Sequence, residues 1–208
     1  MTTIARRRHL LRTIHALSLG LISLLLAGCG SISKIQPSTE GQSTDLTKYS
    51  RVVVASFEDK VSEKAKDPEV QARRRTGVGR FRELLALELR SSGAFAHFST
   101  EASTEPNTLL IGGTVTRYVE GSGFARLAIG MGAGNAYFDA TVEIRDAATK
   151  QLLGTVVVDR NSWGGGGVFS MSQTLDNFMN EAAKNVSAQI VAAKTVGRFT
   201  PPKNTRPR

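Results

Sequence analysis

Side chains that could do acid–base or nucleophilic chemistry are scarce in this 208-residue chain: one cysteine, Cys29, and three histidines, His9, His15 and His97. A single thiol leaves no internal disulfide and no paired-cysteine redox centre. His9 and His15 fall in an N-terminal stretch read below as removable, so His97 is the imidazole a folded domain would keep. A Ser-His-Asp triad would have to use it, yet no Gly-x-Ser-x-Gly elbow is present to hold the nucleophile. One imidazole without a free thiol also falls short of a zinc ligand set. His97, between Phe95 and Phe98, reads as a packed or surface residue. Asp139 and Glu143 share a strand face and could bind a hard cation, but Arg145 beside them can neutralise both. No Walker pattern occurs, and Gly121-Ser122-Gly123 and Gly130-x-Gly132-x-Gly134 do not complete the dinucleotide-binding spacing. The run Gly164-Gly165-Gly166-Gly167 precedes a helix whose first amides could hold an anion, or it is simply a flexible loop. The expectation is a non-enzymatic chain with no metal and no cofactor.

Cys29 has a chemistry of its own. Arg6, Arg7, Arg8 and Arg12 form a basic leader without an acid, and an apolar stretch follows from Leu17 to Ala27. That length suits the core of an export signal and is too short for a helix that must cross a bilayer with roughly 20 apolar residues. Leu26-Ala27-Gly28-Cys29 resembles the lipobox of bacterial lipoproteins. The resemblance implies cleavage before Cys29, a diacylglycerol on its sulfur and a further acyl chain on its freed amine, firm anchoring where one chain would be marginal. The plainer alternative is an ordinary signal peptide cut nearby beside an incidental cysteine. Arg7-Arg8-His9-Leu10-Leu11-Arg12 also resembles a twin-arginine signal, so the export route stays open between that and the general secretory one. In the sorting rule of such lipoproteins an Asp after the cysteine retains the protein at the inner membrane. Gly30 therefore implies the periplasmic face of the outer membrane, if the source is Gram-negative.

Loss of the leader leaves about 180 residues, enough for one domain with flexible ends. A hydrophobic content of 40% supports a core. The formal charge of +9 invites a nucleic-acid reading, but removing four leader arginines lowers it to +5. Several remaining cations crowd the C-terminus: Lys194, Arg198, Lys203, Arg206 and Arg208. A moderate positive balance suits a solvated surface near anionic lipid or wall polymer, and no nucleic-acid partner is expected.

The elements that must position any site are legible in outline. Residues 29–50, rich in Ser, Thr, Gly and Gln, read as a flexible tether that would hold the domain roughly 25 Å from the membrane. A single domain spans 51–194. It opens with the β-branched run Arg51 to Phe57. Asp67-Pro68-Glu69 supplies a helix start, with Val78, Phe81, Leu85 and Leu89 at helical spacing and Gly93 as a left-handed stop. Gly77 and Gly79 weaken its middle, so a loop turning into a helix near Val78 is the alternative. Ala94 to Phe98 and Thr108 to Glu120 read as strands. Ala136 to Arg145 alternates polar and apolar side chains, the signature of a half-buried strand, and Leu152 to Asp159 returns from a turn at Asp146 to Lys150. Leu175, Phe178, Ala182, Val186 and Ile190 stripe a last helix from about Ser172 to Ala193, and residues 195–208 read as a disordered tail. The order β-α-β-β-β-β-α predicts an α+β fold: a largely antiparallel sheet of four to five strands with two amphipathic helices packed on one face.

One segment stands out as a candidate contact site. Leu127, Ile129 and Met131 alternate with Gly130, Gly132 and Gly134, an apolar ridge beside bare backbone whether the segment is strand or helix. Three readings stay open: a hairpin connection packed on its own domain, a surface for a partner or for self-association, and membrane insertion.

The segment Leu109-Leu110-Ile111-Gly112-Gly113-Thr114-Val115-Thr116-Arg117-Tyr118, then Gly130-Met131-Gly132-Ala133-Gly134, Arg145-Asp146-Ala147-Ala148-Thr149 and Leu152-Leu153-Gly154 resemble a bacterial lipoprotein family, domain of unknown function 4410. The resemblance covers roughly Ser50 to Ala193. Its motifs are strand, turn and glycine patterns, so it implies a fold and an envelope location and carries no activity across. The layout is also loosely similar to the periplasmic domains of curli-secretion-type lipoproteins and to the N-terminal domain of the Tol-system propeller protein, and fold does not fix function. The expected role is an outer-membrane-tethered accessory or assembly factor, bound to the membrane by its lipid and to an envelope protein or to itself by contacts. The alternative is a periplasmic ligand-binding or transport and secretion component.

Overall fold

The computed structural model describes residues 30–61, 67–122, 134–162 and 173–199. Along the chain these form β1 (Gly30–Ile32), β2 (Gln36–Pro37), α1 (Thr39–Ser43), a 3-10 turn (Leu46–Lys48), β3 (Arg51–Asp59), α2 (Pro68–Ser91), β4 (His97–Ser99), β5 (Thr108–Val119), β6 (Tyr137–Asp146), β7 (Leu152–Asn161) and α3 (Leu175–Val196). The sheet runs β1-β7-β6-β5-β3-β4, with β2 also paired to the outer edge of β7. The α+β class holds, but the expected antiparallel sheet of four to five strands does not. The sheet is mixed and seven-stranded, because β3 is parallel to both β4 and β5. The reason lies in the connection: a 24-residue helix carries the chain from the end of β3 back to its start, and a strand begun there is parallel.

The expected tether is folded. β1 and β2 run antiparallel along β7, Gly30 opposite Arg160 and Gln36 opposite Thr155. The segment between them is clamped by α3: Gln189 Oε1 accepts from the Ile35 N–H (2.8 Å), and Gln189 Nε2 donates to the Ser33 carbonyl (2.9 Å). Ile35, Leu46 and Tyr49 are all buried. Three apolar side chains spread through a polar stretch leave no mark on its average composition, yet each is an anchor worth roughly 1.5–3 kcal/mol when buried. The fold also reaches past its expected C-terminal limit. α3 ends at Gly197, left-handed at φ 83°, and Phe199 is buried after it. Residues 200–208 lie outside the described residues.

The two long helices cover one sheet face, as their apolar stripes require, and α1 is a third, short one. Asp67 caps α2 by accepting from the Glu69 N–H (2.8 Å) with Pro68 at the first turn, so the helix starts there and runs through Gly77 and Gly79 unbroken. Gly77 is tolerated because Tyr118 of β5 lies against it: a Cβ there would stand 1.9 Å from the Tyr118 hydroxyl. Phe57, Phe81 and Phe138 join β3, α2 and β6 edge-to-face, with ring centroids 5.0 and 4.9 Å apart. No described helix is long and apolar enough to cross a membrane.

β3, β5 and β7 run in one direction, since β6 is antiparallel to both β5 and β7 and β5 is parallel to β3. Their last residues, Asp59, Val119 and Asn161, therefore lie at one end of the sheet with Gly30, the first residue of β1. Both long helices start from that end. The turn at Asp146 to Lys150 marks the other.

Candidate interaction surface

Neither long helix covers the second sheet face, which is open among the described residues, and the alternation in β6 decides what it carries. Phe138, Ala140, Val142 and Ile144 point into the core, while Tyr137, Asp139, Thr141, Glu143 and Arg145 stand half-buried on the open side. The register lays Asp159 of β7 directly beside Asp139, and Arg117 of β5 on its other flank. The Arg117 guanidinium stacks over the Tyr137 ring at 3.5 Å, which holds it near the pair. Burial and the neighbouring Asp159 carboxylate hold the Asp139 carboxyl above the ordinary carboxylate range, against the pull of Arg117 and of the Arg160 N–H. Asp139 Oδ1 is buried and has no hydrogen-bond partner among the described residues. Farther along, Glu143 and Arg145 pair at 2.9 Å on the same face.

A second feature lies at the edge made by the N-terminal segment. An opening of about 500 Å³ between β1 and α3 is lined by Ile32, Arg160, Glu181, Lys184 and Asn185. Arg160 crosses its floor. The guanidinium reaches the Gly30 carbonyl (3.5 Å), pairs with Glu181 and lies 5.4 Å from the Phe178 ring centroid. Its Nε is buried without a partner among the described residues.

Of the residues singled out from sequence, Leu26, Ala27, Gly28 and Cys29 lie outside the described residues. So do Leu127, Ile129, Gly130, Met131 and Gly132, and the Gly164–Gly167 run. Gly134 is described: it is left-handed at φ 69°, and its carbonyl accepts from the Ser122 N–H at 2.7 Å across the base of the β5–β6 connection. His97 is exposed on β4, the edge strand of the sheet. Asp139 and Glu143 share the open face as their spacing requires, but Glu143 pairs with Arg145 and Asp139 stands between Asp159 and Arg117. Among the described residues no three His, Cys, Asp or Glu side chains converge as a metal site would need. Sequence reasoning missed Asp159 and Arg160, because nothing local shows which residue of β7 stands beside which residue of β6 or β1.

A family model for a domain of unknown function, DUF4410, matches residues 34–166. The chain belongs to this family. The match begins inside the N-terminal segment, so the DUF4410 region takes in Ile35, Leu46 and Tyr49 along with the sheet. No curated protein matches the chain. Among solved structures, a variant of the PelC dodecamer from Paraburkholderia phytofirmans is similar at 14% identity, covering 77% of this chain and 97% of that one, with a TM-score of 0.49. A neuraminyllactose-binding hemagglutinin homologue from Helicobacter pylori is similar at 15% identity, covering 77% and 91%, with a TM-score of 0.37. A DUF330 protein from Xanthomonas campestris is similar at 10% identity, covering 78% and 94%, with a TM-score of 0.43. Likeness at these levels says nothing about the role of the DUF4410 domain.

Proposed function

We propose that this chain is a lipoprotein held by an acylated Cys29 at the periplasmic face of the outer membrane, and that it acts through protein contacts and not by catalysis. The open sheet face is the contact surface. One observation carries the reading: Asp139 Oδ1 is buried in that face beside a second carboxylate, without a donor among the described residues. Leaving such an oxygen unpaired costs roughly 1–3 kcal/mol. A partner that lays an arginine, lysine or amide donor across the face satisfies Asp139 and offsets the repulsion from Asp159. The test is a photo-crosslinking residue at Thr141, in the middle of the face, read in intact cells with and without Asp139→Asn. Specific adducts at Thr141 that weaken in the Asp139→Asn background support the contact reading. A folded Asp139→Asn protein that keeps every adduct, or an open face that yields none, overturns it.

A second reading, a ligand-binding or transport component, is favoured by the Arg160 opening with its unpartnered Nε. It predicts a rise in melting temperature with a small anion or an anionic wall fragment that Arg160→Gln abolishes.

A further inference from the structure

The expected tether is absent from the described N-terminal segment, and this changes where the domain must lie. Gly30 follows Cys29 directly and is already part of the sheet, opposite Arg160 in β1–β7 pairing. It is held there tightly: its φ is 117°, and a Cβ would meet the Asp159 carbonyl at 2.5 Å. Consecutive Cα atoms are about 3.8 Å apart, so the Cys29 backbone is within one residue of a fixed strand. A flexible segment of the same length would have allowed roughly 25 Å of stand-off.

We propose that the end of the sheet carrying Gly30 sits directly on the membrane, with the bilayer headgroups as its occupant. The proposal rests on the reading of Cys29 as the lipid anchor. An acylated Cys29 has its glyceryl linkage at the headgroup level, since its chains are buried in the hydrocarbon. The residue that β1 pins to β7 is then at the same depth, and with the strands upright on the bilayer the rest of that end lies level with it: Ser122 and Gly134 at the β5–β6 connection, and Asn161 at the end of β7. The placement rests on the covalent link and not on charge: Arg160 is paired with Glu181, Arg117 faces Asp139, and Asp59 and Glu120 lie at the same end as these cations. The turn at Ala148 points away, a strand length of roughly 30 Å from the surface.

The full acylated chain in phosphatidylethanolamine–phosphatidylglycerol vesicles tests the arrangement. Acylation consumes the Cys29 thiol, so Ser122→Cys and Ala148→Cys each offer a single free thiol for a fluorophore. With a nitroxide on the lipid headgroups, the Ser122 label is expected to be strongly quenched and the Ala148 label left unquenched. Inserting about a dozen Gly and Ser residues between Cys29 and Gly30 is expected to relieve the quenching at Ser122 while the protein stays on the vesicles. Equal quenching at the two positions, no quenching at either, or quenching that the inserted linker leaves unchanged overturns direct seating. Intact mass separates this from failure of the anchor: a chain without acyl chains refutes the lipoprotein reading, whereas an acylated chain without the Ser122 signal refutes only the seating.

Discussion

Two aspartates on β6 respond to their surroundings in opposite directions. Burial works to raise the Asp146 carboxyl, but hydrogen bonds from the Thr149 N–H, the Tyr49 hydroxyl, the Thr149 side chain and the Ala148 N–H outweigh it and hold it below the ordinary range. Its stabilisation is therefore fully present above the unfolded carboxylate pKa and is lost as pH falls through the lower folded value. Tyr49 is fully buried and donates to Asp146 Oδ2 at 2.8 Å. Tyr49→Phe is expected to cost about 1–2 kcal/mol in urea unfolding at neutral pH, and less in acid. Asp139 has the opposite sign. Its folded carboxyl is held up, so its cost to stability is present above the folded pKa and vanishes below the unfolded one. Asp139→Asn is expected to stabilise the protein at neutral pH by a few tenths to about 1 kcal/mol, the range for like charges on adjacent strands, and to make no difference in acid. A destabilised Asp139→Asn variant at pH 7 would show that Arg117 and the Arg160 N–H outweigh burial and Asp159 in the free protein. A gain in stability on removing it is the outcome that the proposed contact role of Asp139 requires.

At the scale of elements, α2 separates propensity from packing. Gly77 and Gly79 lie two residues apart in one helix, and each lowers helix propensity by about 1 kcal/mol relative to Ala. Their surroundings differ. Gly79 has open space where a Cβ would go, whereas Gly77 meets the Tyr118 ring. Burial, with Glu120 and Asp176 nearby, pushes the Tyr118 hydroxyl up to about 12, against Arg80, consistent with a ring held in a packed position. Gly79→Ala is expected to raise stability by about 1 kcal/mol. Gly77→Ala is expected to lower it by about 1–3 kcal/mol, because the half-buried Tyr118 ring must move off the helix to make room for the Cβ. Thermal unfolding of the two single variants checks the contrast. The helix period, the cap at Asp67 and the stop near Gly93 were readable from spacing, as was the alternation that turns Asp139 and Glu143 to one face. The reason for Gly77 was not, because Tyr118 is distant in sequence and no local pattern pairs the two.

For the molecule as a whole, the N-terminal segment belongs to the fold. It covers the outer edge of β7, which would otherwise present unpaired backbone groups to other chains. A soluble form that starts at Gly30 is expected to be monodisperse, while one that starts at Ser50, the boundary composition suggests, loses Ile35, Leu46 and Tyr49 from the core. Size-exclusion chromatography and thermal unfolding are expected to show the shorter form destabilised by several kcal/mol and prone to aggregate. Equal stability of the two forms would show that β1, β2 and the 3-10 turn are dispensable.

By itself the sequence determined the local elements: the long strands and helices from their periods, the cap at Asp67 and the alternation along β6. These are readable because each depends on residues within one turn or one strand of each other. Tertiary structure alone decided which strands meet. The parallel pairing of β3, the two carboxylates side by side on the open face, and the joining of Gly30 to Arg160 across 130 residues all depend on contacts between distant segments. That last contact turns an expected flexible leash into a strand of the sheet, because one fixed φ and three buried side chains outweigh a composition that averages to a linker.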